Sequence, residues 1–316
     1  MNRRHRSRIV RTGLAASLTL VGLHASATFV TDQTTVRIAT TLGDIDVTFY
    51  DQATPLSVDN FFDYADVGAY DDVMIHRAPV NFVAQTGRYT WNDDGFIRQV
   101  ASGTPVLNEP GISNTRGTLA YAKRAGDPNS ATSEWFVNTT DNSANLDFQN
   151  DGFTVFGKVV GNGMDVIDAI DALQRINFVL IPDDPDTVVD DSLVLEDFPI
   201  VGELVNGFIS RNNSVRIESI TRIDVLQGDF DNNGAVEQGD LNLVLNNWGQ
   251  TASSLDVGLY GYGPGRIDQT ALNAVLNNWG SQAAPSFEGS AVPEPTALGL
   301  GLATLGLLAR RRPTRA

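Results

Sequence analysis

Residues 74–88 read "MIHRAPVNFVAQTGR". Met74, Ile75, Val80, Phe82 and Val83 are the apolar positions of a strand, yet Arg77 stands inside it and an amide, Gln85, follows eight residues later. A guanidinium in a sheet either faces water or serves a site. Arg77 and Gln85 share strand parity and Phe82 does not, so simple alternation cannot put all three on one face. If they line one groove, the chain has to turn or bulge around residues 79–81.

Working outward, "TVRIATTLGDIDVTFY" alternates apolar residues on both sides of Gly43-Asp44 and reads as a hairpin. "TPLSVDNFFDYADVGAY" has a turn signal at Pro55 and a capping Ser57. Val58, Phe61, Phe62 and Ala65 then recur at helical spacing until Gly68. "TRGTLAYAK", "SEWFVNTT", "GFTVFGKVV" and "SVRIESITRI" read as strands, and "MDVIDAIDAL" as a second amphipathic helix. Many strands with two helices predict a mainly β domain, a closed antiparallel barrel of about eight strands capped by the helices.

The order and wording of six blocks resemble the cyclophilin-type peptidyl-prolyl cis-trans isomerases, the bacterial ones in particular. The blocks are "TTLGDIDVTFY", "SVDNFFDYADVGAYDD", "IHRAPVNFVAQTG", "SNTRGTLAYAK", "SATSEWFVNTTDN" and "VFGKVVGNGMDVID". The resemblance implies an isomerase domain over residues 34–224, with residues 175–213 as an insertion. It implies catalytic roles for Arg77, Phe82 and Gln85. A proline pocket would be formed by Phe82, Val83, Phe136 and Leu146, and the backbone near Ala122 and Lys123 would hold the substrate main chain. Pro-containing polypeptides are the implied substrates, and no cofactor is needed. Three positions depart from the family pattern. Glu134 stands where Gln is usual, Asn145 where the pocket rim is aromatic, and Phe153 where His or Tyr is found. Residue by residue, plainer readings stand beside these. Arg77 can be a solvated strand residue or half of an ion pair, Phe82, Phe136 and Leu146 can be core, and His76 a packed neighbour.

Residues 229–240, "DFDNNGAVEQGD", place Asp229, Asp231 and Asn233 at loop positions 1, 3 and 5, Gly234 at 6, Glu237 at 9 and Asp240 at 12. Alternating oxygen ligands with glycine at the sharp turn suit calcium. The final Asp and the following "LNLVLNNWG" resemble a dockerin-type repeat. "GRIDQTALNAVLNNWG" repeats "GAVEQGDLNLVLNNWG" 31 residues on. The second copy has Tyr260, Tyr262, Pro264 and Ala271 at ligand positions, with Asp268 alone at position 9, so it is expected to bind no calcium. Leu241, Leu245 and Trp248 are expected to pair with Leu272, Leu276 and Trp279 in a small α-helical module over residues 225–282. The resemblance implies a cohesin-like partner; a calcium-stiffened spacer is the alternative.

The chain of 316 residues carries 22 Lys+Arg against 38 Asp+Glu. Nine Arg lie in the two terminal segments, leaving a body near −24, from 13 basic and 37 acidic residues. That charge argues against nucleic acid as a partner. There is no Cys, and His5, His24 and His76 are the only histidines, which removes disulfides, thiol chemistry and most His-based catalysis. Residues 1–27 have the basic, apolar and small-residue layout of a signal peptide ending at Ala25-Ser26-Ala27. Residues 283–291 form a linker. Residues 292–316 place Pro293-Glu294-Pro295, an apolar run and Arg310-Arg311-Arg312 in the order of a PEP-CTERM sorting tail, implying exosortase processing. The expected protein is thus exported, to the envelope, the outer surface or the medium, where it assists the folding of extracytoplasmic proteins. A surface-display or adhesion protein whose barrel only binds Pro-containing segments is the alternative.

Overall fold

The computed structural model describes residues 33–92, 95–179, 194–204 and 209–283. The signal-like segment, nearly all of the linker, the sorting-type tail and the acidic run 182–186 lie outside these residues.

The chain opens with β1 (Thr35–Thr40) and β2 (Gly43–Phe49), paired so that Thr40 faces Gly43. The turn is therefore Thr41-Leu42, two residues earlier than expected, and Gly43 with φ 134° begins the second strand. Helix α1 (Pro55–Ala65) has Pro at its first position, where no amide partner is needed. Ser57 is not its cap. It sits in the first turn, where Glu109 accepts from the amides of Leu56 (3.2 Å) and Ser57 (2.9 Å) and from the Ser57 hydroxyl (2.7 Å). A carboxylate from a distant loop thus fills the place that local sequence assigned to a serine.

The next elements are β3 (Val83–Thr86), β4 (Tyr89–Trp91), β5 (Ile97–Gln99), β6 (Thr118–Tyr121) and β7 (Trp135–Asn138). A one-turn α2 (Ser143–Leu146), β8 (Val155–Val160) and α3 (Gly163–Asp171) follow. Then come β9 (Gln174–Val179), β10 (Val194–Ile200) and β11 (Ile217–Arg222). Seven strands make one sheet in the order β11-β1-β2-β8-β6-β7-β3. The fold is mainly β, a curled half-barrel around a core of Phe49, Phe61, Tyr70, Tyr121, Trp135 and Phe156. Against the expected closed ladder of about eight strands, residues 73–77 lie between the edges and pair through isolated bridges. Ile75 N donates to Val215 O (2.9 Å) on one side, and Met74 N to Tyr89 O (2.8 Å) on the other.

The inserted residues form the β9–β10 hairpin, whose Leu195, Phe198 and Ile200 pack on Met74, Tyr89 and Trp91. It also holds the backbone beside Arg77: Ala78 N donates to Asp197 O (2.9 Å), and Arg175 Nε donates to Ala78 O.

Two further helices, α4 (Gln238–Asn246) and α5 (Gln269–Asn277), follow within the described residues. Their core is Val236, Val244, Ile267, Ala271 and Val275 with Phe230 and Leu255. Leu241 and Leu272 pack against this core as expected, but the rest of the expected face pairing is corrected: Leu245 (53% exposed), Trp248 (48%), Leu276 (52%) and Trp279 (48%) point to solvent. Where valine and leucine are adjacent, both fit helical spacing, and the smaller Val244 and Val275 allow the closer helix approach. The module packs on the half-barrel through its second repeat. Tyr260 Oη donates to Asp46 Oδ2 (3.0 Å), Gly261 N to Thr48 Oγ1 (3.2 Å), and Gly258 bridges Val160. A Cβ on Gly258 would come within 2.9 Å of the Val159 carbonyl oxygen, so the close approach requires glycine.

Candidate active site

The stretch 74–88 is two short extended pieces joined by a turn. Gln85 N donates to Arg77 O (2.8 Å) and His76 N to Gln85 O (3.0 Å), so Arg77 and Gln85 face each other across the fold-back. Asn81 takes φ 52°, a left-handed conformation that asparagine tolerates, and its amide donates to Asp171 (3.2 Å). The turn falls where strand parity requires one. It swings Phe82 back under Arg77, whose guanidinium carbon lies 5.9 Å from the ring centroid. Thr139 N (3.0 Å) and Asn142 Nδ2 (2.8 Å) both donate to Phe82 O and fix the turn's exit. Nothing in local sequence marked Asn142 for that task.

Phe82 packs on an apolar cluster of Val83, Phe136, Leu146 and Val155, backed by Ala120. Phe136 lies opposite Gln85 in the β3–β7 register, and its ring meets Phe153 at 5.9 Å and 66°. These residues come from β3, β6, β7, β8 and the one-turn α2, with Phe82 in the turn before β3. Arg77 forms no ion pair with an acidic side chain among the described residues. A guanidinium keeps its charge at any working pH, so a fixed cation stands over the Phe82 ring and the apolar cluster behind it.

The main chain expected to hold the substrate near Ala122 and Lys123 follows β6 and lies beside Glu134. The Ala122 amide donates to Glu134 O (3.0 Å). Lys123 Nζ donates to Asn108 Oδ1 (3.1 Å), Asn150 O (2.8 Å) and Gly152 O (2.6 Å), and lies 4.8 Å over the Phe153 ring. Burial lowers its pKa, partly offset by Asp151. Lys123 therefore braces the loop carrying Phe153.

Glu134 is the centre of a polar cluster that sequence reading did not assemble. Its Oε2 accepts from Gln85 Nε2 (2.9 Å) and lies 3.6 Å from His76 Nε2, while Oε1 accepts from Arg88 Nη1 (3.2 Å). Burial would raise the carboxyl's pKa, but the His76, Arg88 and Gln85 contacts together hold it below the usual value. Beside the cluster opens a cleft of about 540 Å³ lined by Gln85, Arg88, Gly103, Ala122, Lys123 and Glu134 among others.

In the acidic loop, Asp229, Asp231 and Asp240 each offer an oxygen within 4.8 Å of the others. Burial pushes Asp229 up to about 6 and raises Asp240. The Asp229 oxygens accept from Asn233 N (3.1 Å) and Gly234 N (2.9 Å), which wraps the loop around them. Glu237 stands outside the triad, 3.4 Å from Asn233 Nδ2. Hard oxygen donors with unbalanced negative charge fit calcium. In the second repeat Asp268 instead caps α5, accepting from Thr270 N (2.8 Å).

Comparison with known proteins gives one consistent match. The family model described as cyclophilin type peptidyl-prolyl cis-trans isomerase/CLD matches residues 35–190. The chain is 39% identical over 154 residues to a peptidyl-prolyl cis-trans isomerase of Acinetobacter baylyi, covering 48% of this chain and 76% of that protein. It is also 39% identical over 169 residues to peptidyl-prolyl cis-trans isomerase A of Dickeya dadantii, covering 52% and 86%. A crystal structure of a cyclophilin type isomerase from Cryptosporidium parvum, in the presence of the dipeptide Ala-Pro, aligns over 60% of this chain and 99% of that one. Its TM-score is 0.42 and its identity 18%.

Proposed function

Because the chain belongs to the cyclophilin-type peptidyl-prolyl cis-trans isomerases and has their activity, we propose that the Arg77 groove is where an X–Pro bond is turned. Rotation about that bond meets a barrier of ~18–20 kcal/mol because amide resonance is lost, and uncatalysed exchange takes tens of seconds or more. No bond is made or broken, so no cofactor is needed. The pocket of Phe82, Val83, Phe136 and Leu146 takes the pyrrolidine ring. Arg77 donates to the prolyl nitrogen as it becomes pyramidal, when its lone pair is freed from resonance. Gln85 holds the substrate main chain beside it. The observation carrying this reading is the Arg77 guanidinium poised over Phe82, with no acidic partner among the described residues.

The same reading places the enzyme outside the cytoplasm. Its support is the order of basic, apolar and small residues in 1–27 and of the Pro-Glu-Pro, apolar and Arg-rich elements in 292–316. Its substrates are then Pro-containing segments of extracytoplasmic proteins, and an exosortase processes the tail. The dockerin-like module holds one calcium ion at Asp229, Asp231 and Asp240, with Asn233 and Glu237 completing the shell. The solvent-facing pairs Leu245/Trp248 and Leu276/Trp279, repeated 31 residues apart, support a cohesin-like partner. Expression of the tagged full chain in a Gram-negative host tests the location. Recovery in the envelope or medium with Thr28 as the first residue is expected. Cytoplasmic protein that keeps Met1 overturns it.

A further inference from the structure

We infer that Glu134 is a positioning residue that fixes which end of the Gln85 amide faces the groove, an inference resting on the groove reading above. An ionised carboxylate can only accept hydrogen bonds. The 2.9 Å contact between Gln85 and Glu134 Oε2 must therefore be made by the Gln85 NH2 group. Gln85 Oε1 has no protein donor among the described residues, so the groove is offered an acceptor. A neutral amide at position 134 would impose no such choice, because it can meet either end of Gln85.

The carboxylate is itself held. Arg88 Nη1 binds Oε1 at 3.2 Å and His76 Nε2 lies 3.6 Å from Oε2, so each carboxylate oxygen has a basic neighbour. His76 is buried and its Nδ1 has no partner among the described residues. Gln85 is also fixed through its backbone, which pairs with Arg77 on one side and Phe136 on the other. With both main chain and side chain fixed, the amide presents one polarity. It selects a substrate segment whose backbone N–H, rather than its carbonyl, points at Gln85. The acid at 134 thereby sets the direction and register in which the peptide lies across the proline pocket.

The test uses the full chain and a set of Xaa-Pro peptides, each methylated at one backbone nitrogen. In the wild type one methylation is expected to lower kcat/KM by about tenfold, mainly through KM, because it removes the bond to Gln85 Oε1. Glu134→Gln, an isosteric change, should shrink that penalty to about twofold. In a Gln85→Ala background, Glu134→Gln should change nothing further, which a merely structural effect would not predict. The Gln85 side-chain amide resonances should shift in Glu134→Gln, reporting the orientation without catalysis. An undiminished penalty in Glu134→Gln, or an equal effect of that change in the Gln85→Ala background, overturns the inference. Should Gln85→Ala leave both rate and penalty at wild-type values, the groove reading of Gln85 falls first.

Discussion

The groove at Arg77 and the loop at Asp229 treat charge in opposite ways. In the groove a cation that cannot lose its proton stands without an acidic partner among the described residues, its backbone anchored at Ala78 by the inserted hairpin. In the loop three carboxylates converge, and burial raises two of them. On the proposed reading, folding alone completes the first site, whereas the second is complete only with a cation. That reading separates two properties, assigning isomerisation to the groove and cation dependence to the module.

The largest expected effect tests that separation. Calcium at a thousandfold excess over its Kd should stabilise the module by about 4 kcal/mol. Calorimetry with and without chelator should show the shift, while kcat/KM on a prolyl peptide stays unchanged. A rate that collapses on chelation breaks the separation.

A smaller effect lies at the seam between the two regions, where Lys158 is buried and donates to Arg116 O. Burial lowers its pKa to about 8. For a base with a depressed folded-state pKa the unfolded chain binds more protons above that value. Stability therefore rises between about pH 8 and the ordinary lysine value of 10.5. Denaturant melts across that window should show a rise of roughly 2 kcal/mol in the wild type, absent in Lys158→Met.

The smallest effect sharpens the contrast between the repeats. Tyr260 occupies the position that Asp229 holds in the first loop, but it donates to Asp46 of β2 instead of facing a cation. Tyr260→Phe should cost about 1 kcal/mol in stability and leave calcium binding by titration calorimetry unaltered. Loss of calcium binding in that variant would mean that the second loop carries a site after all.

Much of the groove was legible because its residues lie in short blocks whose order is distinctive. The turn at residues 79–81 was forced by the parity of Arg77, Phe82 and Gln85. Other features had no local signal. The α1 cap comes from Glu109, on a loop 52 residues away, and the clamp on Ala78 from an insertion whose pairing only folding reveals. The inward face of α4 was misread because Val244 and Leu245 both satisfy helical spacing. The ladder of about eight strands was overestimated because residues 73–77 bond to both edges one bridge at a time. The Glu134 cluster joins residues 46 to 58 positions apart, and although Gln85, His76 and Glu134 each stood out in sequence, nothing there showed that they meet.

The most direct test of the account is the kinetics of Arg77→Ala on a prolyl peptide in a protease-coupled assay, beside a thermal melt. Removing a preorganised donor of this kind should lower kcat/KM by about 10²–10³-fold with the melting temperature preserved. Activity within about twofold of wild type would contradict the claim that Arg77 drives the rotation.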